Sequence, residues 1–212
     1  LRRFGNTFPN VFFLSSLGAI SRDGEVSNLR YLIMELLGSS IWSLTKLHDL
    51  ALPMRTIASV GVQCIEGLEK MHSAGFIHGD IHLENILFEH GPSLAHGGVF
   101  THRVLLGDYG KSESYLDTLS GMHRADRTIE YSTERNMLYL SPFELAMGSP
   151  SRREDIYRLM ETLARMMGER VYSEKFKHLQ HNREALMLAK QSVPITEIFP
   201  AVDPIFVELF EY

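Results

Sequence analysis

A single cysteine, Cys64, in 212 residues leaves no internal disulfide framework and points to a reducing, intracellular setting, cytoplasmic or nuclear. Long apolar runs are missing too. No stretch approaches the roughly 18–20 residues of a membrane span, and Leu1-Arg2-Arg3 does not open a signal peptide. The basic surplus that nucleic-acid binding demands is absent, the formal net charge being -5. There is no internal repeat, no low-complexity tract and no methionine at position 1, so the expectation is a piece of a longer protein. What remains is ordinary: 44% apolar and 22% charged residues, enough for one core-forming domain or for one lobe plus part of another.

Periodicity supplies the elements. Residues 9–20 are apolar and β-prone, Ser21-Arg22-Asp23-Gly24-Glu25 reads as a turn, and 30–37 returns as a second strand ending at Gly38. From Met54 the period becomes helical, with Ile57, Val60, Gly61, Cys64, Ile65, Leu68 and Met71 on one face and Gly75 as terminator. Residues 85–88 and 103–106 predict a small hairpin around a loop rich in glycine and histidine. Residues 111–150 have no sustained period and read as a long surface segment. Ser151 and Glu154 form a capping-box pattern, and Ile156, Leu159, Met160, Leu163, Met166 and Met167 predict a buried helix stopped by Gly168. Two short helices are expected around Pro194, Pro200 and Pro204.

The chemistry concentrates in Phe76-Ile77-His78-Gly79-Asp80-Ile81-His82-Leu83-Glu84-Asn85. An aspartate followed five residues later by an asparagine, just before a strand, suits phosphoryl transfer. The carboxylate accepts the proton of an attacking hydroxyl, and the amide oxygen binds a metal that bridges phosphates. Asp108-Tyr109-Gly110 follows the next strand and offers a second hard oxygen ligand of the kind magnesium takes.

These motifs resemble the protein-kinase catalytic loop (H-R-D-x-K-x-x-N) and its D-F-G, in wording closest to the vaccinia-related kinases (H-G-D-I-K and D-Y-G). Met34-Glu35-Leu36-Leu37-Gly38 resembles the hinge of casein kinase I. Tyr139-Leu140-Ser141 and Ser149-Pro150-Ser151-Arg152-Arg153-Glu154-Asp155 stand where both families carry Y-A-S or F-T-S and the opening of the central helix. The resemblance implies an α+β, protein-kinase-like fold: 1–37 as the end of the small lobe and hinge, 38–212 as the large lobe. It implies ATP and magnesium as cofactors, and a protein substrate or regulatory protein as partner. Asp80 is then the catalytic base and Asn85 and Asp108 the metal ligands. Met34 is the gatekeeper, the backbone of Glu35 and Leu37 meets the adenine, Leu87 lies beneath it, and Asp155 anchors the catalytic loop.

Departures from the pattern carry information as well. The glycine-rich loop, the strand lysine and its helix glutamate belong upstream of Leu1. Gly79 stands in place of an arginine that elsewhere pairs with a phosphorylated activation loop. The interval from Asp80 to Asp108 is longer than usual, and 121–138 matches poorly. Position 82, lysine in the family, is His82, which is shorter and, with an ordinary pKa of about 6.5, mostly neutral at pH 7. The sequence therefore predicts that His82 limits the rate. Two rival readings stand beside a Ser/Thr protein kinase: a pseudokinase that works as a binding module, and a small-molecule phosphotransferase of the aminoglycoside or choline kinase type, which also writes H-G-D-x4-N. Blander roles are expected for His78 (packed structure rather than half of a metal pair), for Cys64 (inert core), for His90, His96 and His102 (a solvated loop) and for Arg152 and Arg153 (pairing with nearby acids).

Overall fold

A computed structural model describes residues 9, 11–20, 26–48, 52–90, 103–117, 119–124, 137, 140–146, 151–167 and 175–198. The turn at 21–25, the hairpin loop at 91–102, Gly168, Pro200 and Pro204 lie outside the described residues. The architecture is α+β, with helices and separate small antiparallel sheets.

Strands β1 (Val11–Ile20) and β2 (Val26–Met34) form the expected hairpin, with an irregularity between Val11 and Phe13. The second strand of the sequence reading is divided. Met34 still pairs with β1, whereas β3 (Leu37–Ser40) turns to pair with β5 (Ile86–Glu89). Gly38 explains the change of partner: a Cβ there would lie 2.9 Å from the Glu89 carbonyl oxygen, so only glycine permits this approach. β5 in turn pairs with β6 (Val104–Leu106), as the 85–88 and 103–106 runs predicted.

Helix α1 (Ile41–His48) had no counterpart in the sequence reading. It starts at Ser40, whose hydroxyl accepts from the Ser43 amide at 3.3 Å, and its Ile41 is fully buried. α2 (Met54–Ser73) buries Ile57, Val60, Cys64, Leu68 and Met71 and ends before Gly75, whose φ of 85° favours glycine. Ile65, assigned to that face, is instead 45% exposed. Burial pushes the Cys64 thiol up to about 12, as an inert core residue requires. Gly61 lets α2 approach α4 (Arg152–Met166), since a Cβ there would meet Leu163 at 3.1 Å.

α4 begins at Ser151, whose amide and hydroxyl both donate to the Glu154 carboxylate at 2.7 Å. Its Leu159, Met160, Leu163 and Met166 are buried as expected, but Ile156 faces outward while Glu161 and Thr162 are buried. The helix thus serves two cores. Leu159 and Leu163 join Ile57, Leu68, Ile81, Leu83 and Leu106, and Ala164 joins Leu140, Leu145, Phe176 and Leu186. Short elements complete the chain: β4 (Phe76–Ile77) paired with β7 (Glu113–Ser114), α3 (Pro142–Leu145), α5 (Arg183–Ser192) and α6 (Ile195–Ile198). No helix among the described residues is long and apolar enough to cross a membrane.

The polar side of α4 carries a titration signature. Lys190 of α5 is buried and donates to the Leu140 carbonyl at 2.6 Å. Burial pushes its pKa down from 10.5 to about 8, against the opposing pull of Glu161 and Glu144; Arg158 and Arg165 lower it further. The unfolded chain holds this proton to higher pH than the folded one, so stability rises with pH between about 8 and 10.5. Cys64 opposes this above its ordinary value of 9.0, because only the unfolded thiol ionises there. The advantage of Lys190→Met over the native protein, read from urea unfolding, is therefore expected to shrink as pH climbs from about 7 to about 9. An advantage independent of pH would remove Lys190 as its source.

Candidate active site

The segment after β4 is held from below by one carboxylate. Asp155, with no exposure, accepts from the His78 amide at 2.7 Å, the Gly79 amide at 2.8 Å and His72 Nε2 at 2.9 Å. This is the anchoring role the resemblance implied for Asp155. His78 is fully buried; Nδ1 accepts from the Asp80 amide, and Nε2 donates to Gly107 O at 3.1 Å. Burial lowers its pKa despite Asp155 and Asp80 nearby, so it is a neutral structural residue, and no metal-binding cluster of histidine, cysteine and acids exists among the described residues.

The anchored loop holds Asp80 against Asn85, and a backbone hydrogen bond ties it to the residue before Asp108. Asn85 Nδ2 donates to Asp80 O at 2.9 Å and approaches its carboxylate at 3.4 Å, which leaves Asn85 Oδ1 as a free acceptor face. The Gly107 amide donates to Asn85 O at 2.8 Å, which sets Asp108 beside it. Asp108 has φ 53°, a left-handed conformation that aspartate tolerates better than most residues, and its exposed carboxylate accepts from the Gly110 amide at 3.1 Å. One neutral oxygen and one exposed carboxylate suit magnesium, which takes few protein oxygens beside phosphate and water.

Besides Asn85, two further side chains face the Asp80 carboxylate. Lys111 Nζ lies 2.6 Å from Oδ1, and His82 Nε2 lies 3.7 Å from Oδ2, beyond hydrogen-bond length. Burial alone would raise the Asp80 pKa; His82 and Lys111 outweigh it and hold the carboxyl well below its ordinary range. Lys111 was not among the residues singled out in the sequence. It sits in a 3-10 turn (Tyr109–Lys111) that is pinned to the loop by the Tyr109 hydroxyl on Leu106 O and by Ser112 Oγ on His78 O at 3.2 Å.

Residues 34–38 connect to this group through β5 and β6. Half-buried Met34 ends β2, Leu37 lies opposite Glu89, and the Glu35 carboxylate is held by Arg103 at 2.5 Å. Leu87 of β5 packs where a Cβ on Gly107 would clash at 2.6 Å, directly before Asp108. A cavity of about 470 Å³ opens beside the 78–85 loop, lined by Asp80, His82, Lys111, Trp42, Arg158 and Arg165 among others; Met34, Leu37 and Leu87 do not line it.

The sequence reading also passed over a second capping box. Ser141 accepts from the Glu144 amide at 3.0 Å and donates its own amide to Glu144 at 2.9 Å, with Pro142 at the first helical position. The Ser-Pro-Phe-Glu signal lay in plain view within a stretch read as aperiodic. Glu144 then pairs with half-buried Arg158 at 2.7 and 3.0 Å. Arg153 meets Glu154 at 3.2 Å and covers Phe143, whereas Arg152 stacks on Tyr115 at 5.2 Å, an aromatic partner where an acid was expected.

Comparison with known proteins points to one family. The protein kinase domain family matches residues 16–205. A casein kinase 1-like protein of Oryza sativa subsp. japonica, HD16, is 30% identical over 141 residues, covering 66% of this chain and 19% of the relative. A probable casein kinase I homolog of Encephalitozoon cuniculi is 24% identical over 169 residues (79% and 52%), and the B1 kinase of vaccinia virus (strain Ankara) 24% over 140 residues (66% and 43%). The matched segments thus span between about a fifth and about half of these relatives. With the match running over most of the chain, and with the loop, its anchor and the Asp-Tyr-Gly turn assembled as described, this chain belongs to the protein kinase superfamily.

Proposed function

We propose that this chain transfers the γ-phosphate of ATP to Ser or Thr hydroxyls of a protein, inside the cell, with residues up to 37 belonging to the small lobe and hinge and the remainder to the large lobe. The observation that carries the reading is the joining of Asp80, Asn85 and Asp108 through the Asn85 amide and the Gly107 backbone. Asp80 accepts the proton of the acceptor hydroxyl and orients its oxygen toward phosphorus. Asn85 Oδ1 and the Asp108 carboxylate are the residues that would hold magnesium, whose contribution when bound is to neutralise phosphate charge. Met34, the Glu35 and Leu37 backbone, and Leu87 form the adenine side, with Arg103 fixing the hinge by way of Glu35. The cavity lined by Asp80 but by none of the adenine-side residues is the acceptor side. The casein kinase I-like relatives favour Ser/Thr acceptors and a protein substrate over the small-molecule phosphotransferase reading.

Nucleotide binding is expected to depend on magnesium. Calorimetry should give tighter ATP binding in magnesium than in EDTA, with the difference lost in Asn85→Ala and Asp108→Ala. Equal affinity under both conditions would remove the pair as metal ligands. Phosphoamino-acid analysis of labelled generic protein acceptors then separates Ser/Thr from Tyr transfer. A second reading, a pseudokinase acting through binding, is favoured by His82 in place of lysine; magnesium-dependent binding without transfer to any acceptor would select it.

A further inference from the structure

We propose that Lys111, the residue directly after Asp108-Tyr109-Gly110, supplies the cation at the transferred phosphoryl group that position 82 does not. The inference rests on the nucleotide-transfer reading above and concerns the same site. An acceptor hydroxyl that donates to Asp80 sits about 2.7 Å from the carboxylate, and its oxygen approaches phosphorus from about 3–3.5 Å. Lys111 Nζ, 2.6 Å from Asp80 Oδ1, binds the same carboxylate that this hydroxyl would, and its flexible stem lets the ammonium reach toward the oxygens of the transferred group. An ammonium has three donors. One is used on Asp80, and two remain for phosphoryl oxygens.

His82 is built for a different task. Its Nδ1 accepts from the Glu84 amide at 3.3 Å, so its remaining N–H is on Nε2, which faces Asp80 at 3.7 Å. That single N–H faces the base at a distance too long for a hydrogen bond, and the ring offers the phosphate no permanent cation. The backbone is shaped to place Lys111. Gly79 has φ 76°, and a Cβ there would lie 2.8 Å from the Lys111 carbonyl oxygen, so an arginine at position 79 would displace the turn that carries the lysine. Lys111 thus stands on the turn opposite the loop, where it supplies the cation that His82 does not.

In the step itself the hydroxyl oxygen forms its bond to the γ-phosphorus. The bond from that phosphorus to the bridging oxygen breaks, its electron pair leaves with ADP, and the hydroxyl proton passes to Asp80. Lys111 keeps its proton throughout and stabilises charge on the γ-phosphoryl oxygens.

The test compares magnesium-ATP with magnesium-ADP binding by calorimetry, because only ATP carries the group Lys111 is proposed to touch. Lys111→Met is expected to lower the ratio of ATP to ADP affinity about tenfold while ADP affinity stays within about twofold. Lys111→Arg should retain most of the ratio, and adding His82→Lys to Lys111→Met should restore it. An unchanged ratio with intact ADP binding overturns the assignment of Lys111 and leaves the kinase reading standing. A higher transfer rate in Lys111→Met would overturn it differently, showing Lys111 to be a plug on the base. If the native protein binds neither nucleotide, the transfer reading fails and takes this inference with it.

Discussion

Asp155→Ala is expected to lower the unfolding free energy by about 3–5 kcal/mol, a large part of the stability of a typical domain. The carboxylate is fully buried and receives three donors, from His72, His78 and Gly79. Truncation leaves those N–H groups buried without partners, and each such group costs about 1–3 kcal/mol before relaxation or an entering water recovers part. Asp155→Asn should lie between the two, because one amide oxygen still accepts while the new NH2 faces a donor. The check is a denaturant titration combined with hydrogen exchange at the His78 and Gly79 amides, which should accelerate. A shift below about 1 kcal/mol, the size of an ordinary hydrogen bond, would mean that the loop is held by its apolar neighbours Ile77 and Ile81 instead.

Asp80→Asn is expected to slow phosphoryl transfer by about 10²–10⁴-fold, the usual contribution of a positioned base. Nucleotide affinity should change far less, because the role proposed for Asp80 is on the acceptor hydroxyl. The isosteric amide keeps the shape of the site and can still receive Asn85 Nδ2 on its oxygen, so a rate loss without loss of fold isolates the proton-accepting role. Lys111 also loses its ionic partner in this variant, which makes the pairing with Lys111→Met informative. Coupled losses that fail to add would place the two side chains in one functional unit. A rate within about threefold of native would exclude Asp80 as the base, since base catalysis supplies at least about a hundredfold.

Much of this protein is local and therefore legible. The β1–β2 hairpin, the α2 and α4 helices and the β5–β6 pair follow from periods of 2 and 3.6 in apolar residues, which each segment carries by itself. Asp80, Asn85 and Asp108 stand out in the sequence for the same reason: their order along the chain, each beside a strand, is a local pattern. The limits of periodicity appear at the faces. Ile65 and Ile156 continue the apolar period yet lie outside, while Glu161 and Lys190 are buried. Burial depends on what the neighbouring element covers, and a buried polar group is tolerated where another chain segment supplies its partner, as Leu140 O does for Lys190.

The contacts that only tertiary structure decided all join residues far apart in the chain. Met34 and Leu37 choose different partner strands because Gly38 lets the backbone close on Glu89, a fact about β5 rather than about the hinge sequence. Glu144 finds Arg158, and Glu35 finds Arg103, across intervening segments with no local signature of either pair. Lys111 is the sharpest case. In the sequence it is one polar residue in an aperiodic stretch, and its long flexible stem allows many positions for the charge. The sequence by itself determined that Asp80, Asn85 and Asp108, with His82 where the resembled family carries lysine, lie in kinase order. That the ammonium of Lys111 rests on the Asp80 carboxylate was decided by Gly79, whose positive φ and absent side chain bring two loops, 31 residues apart, into contact.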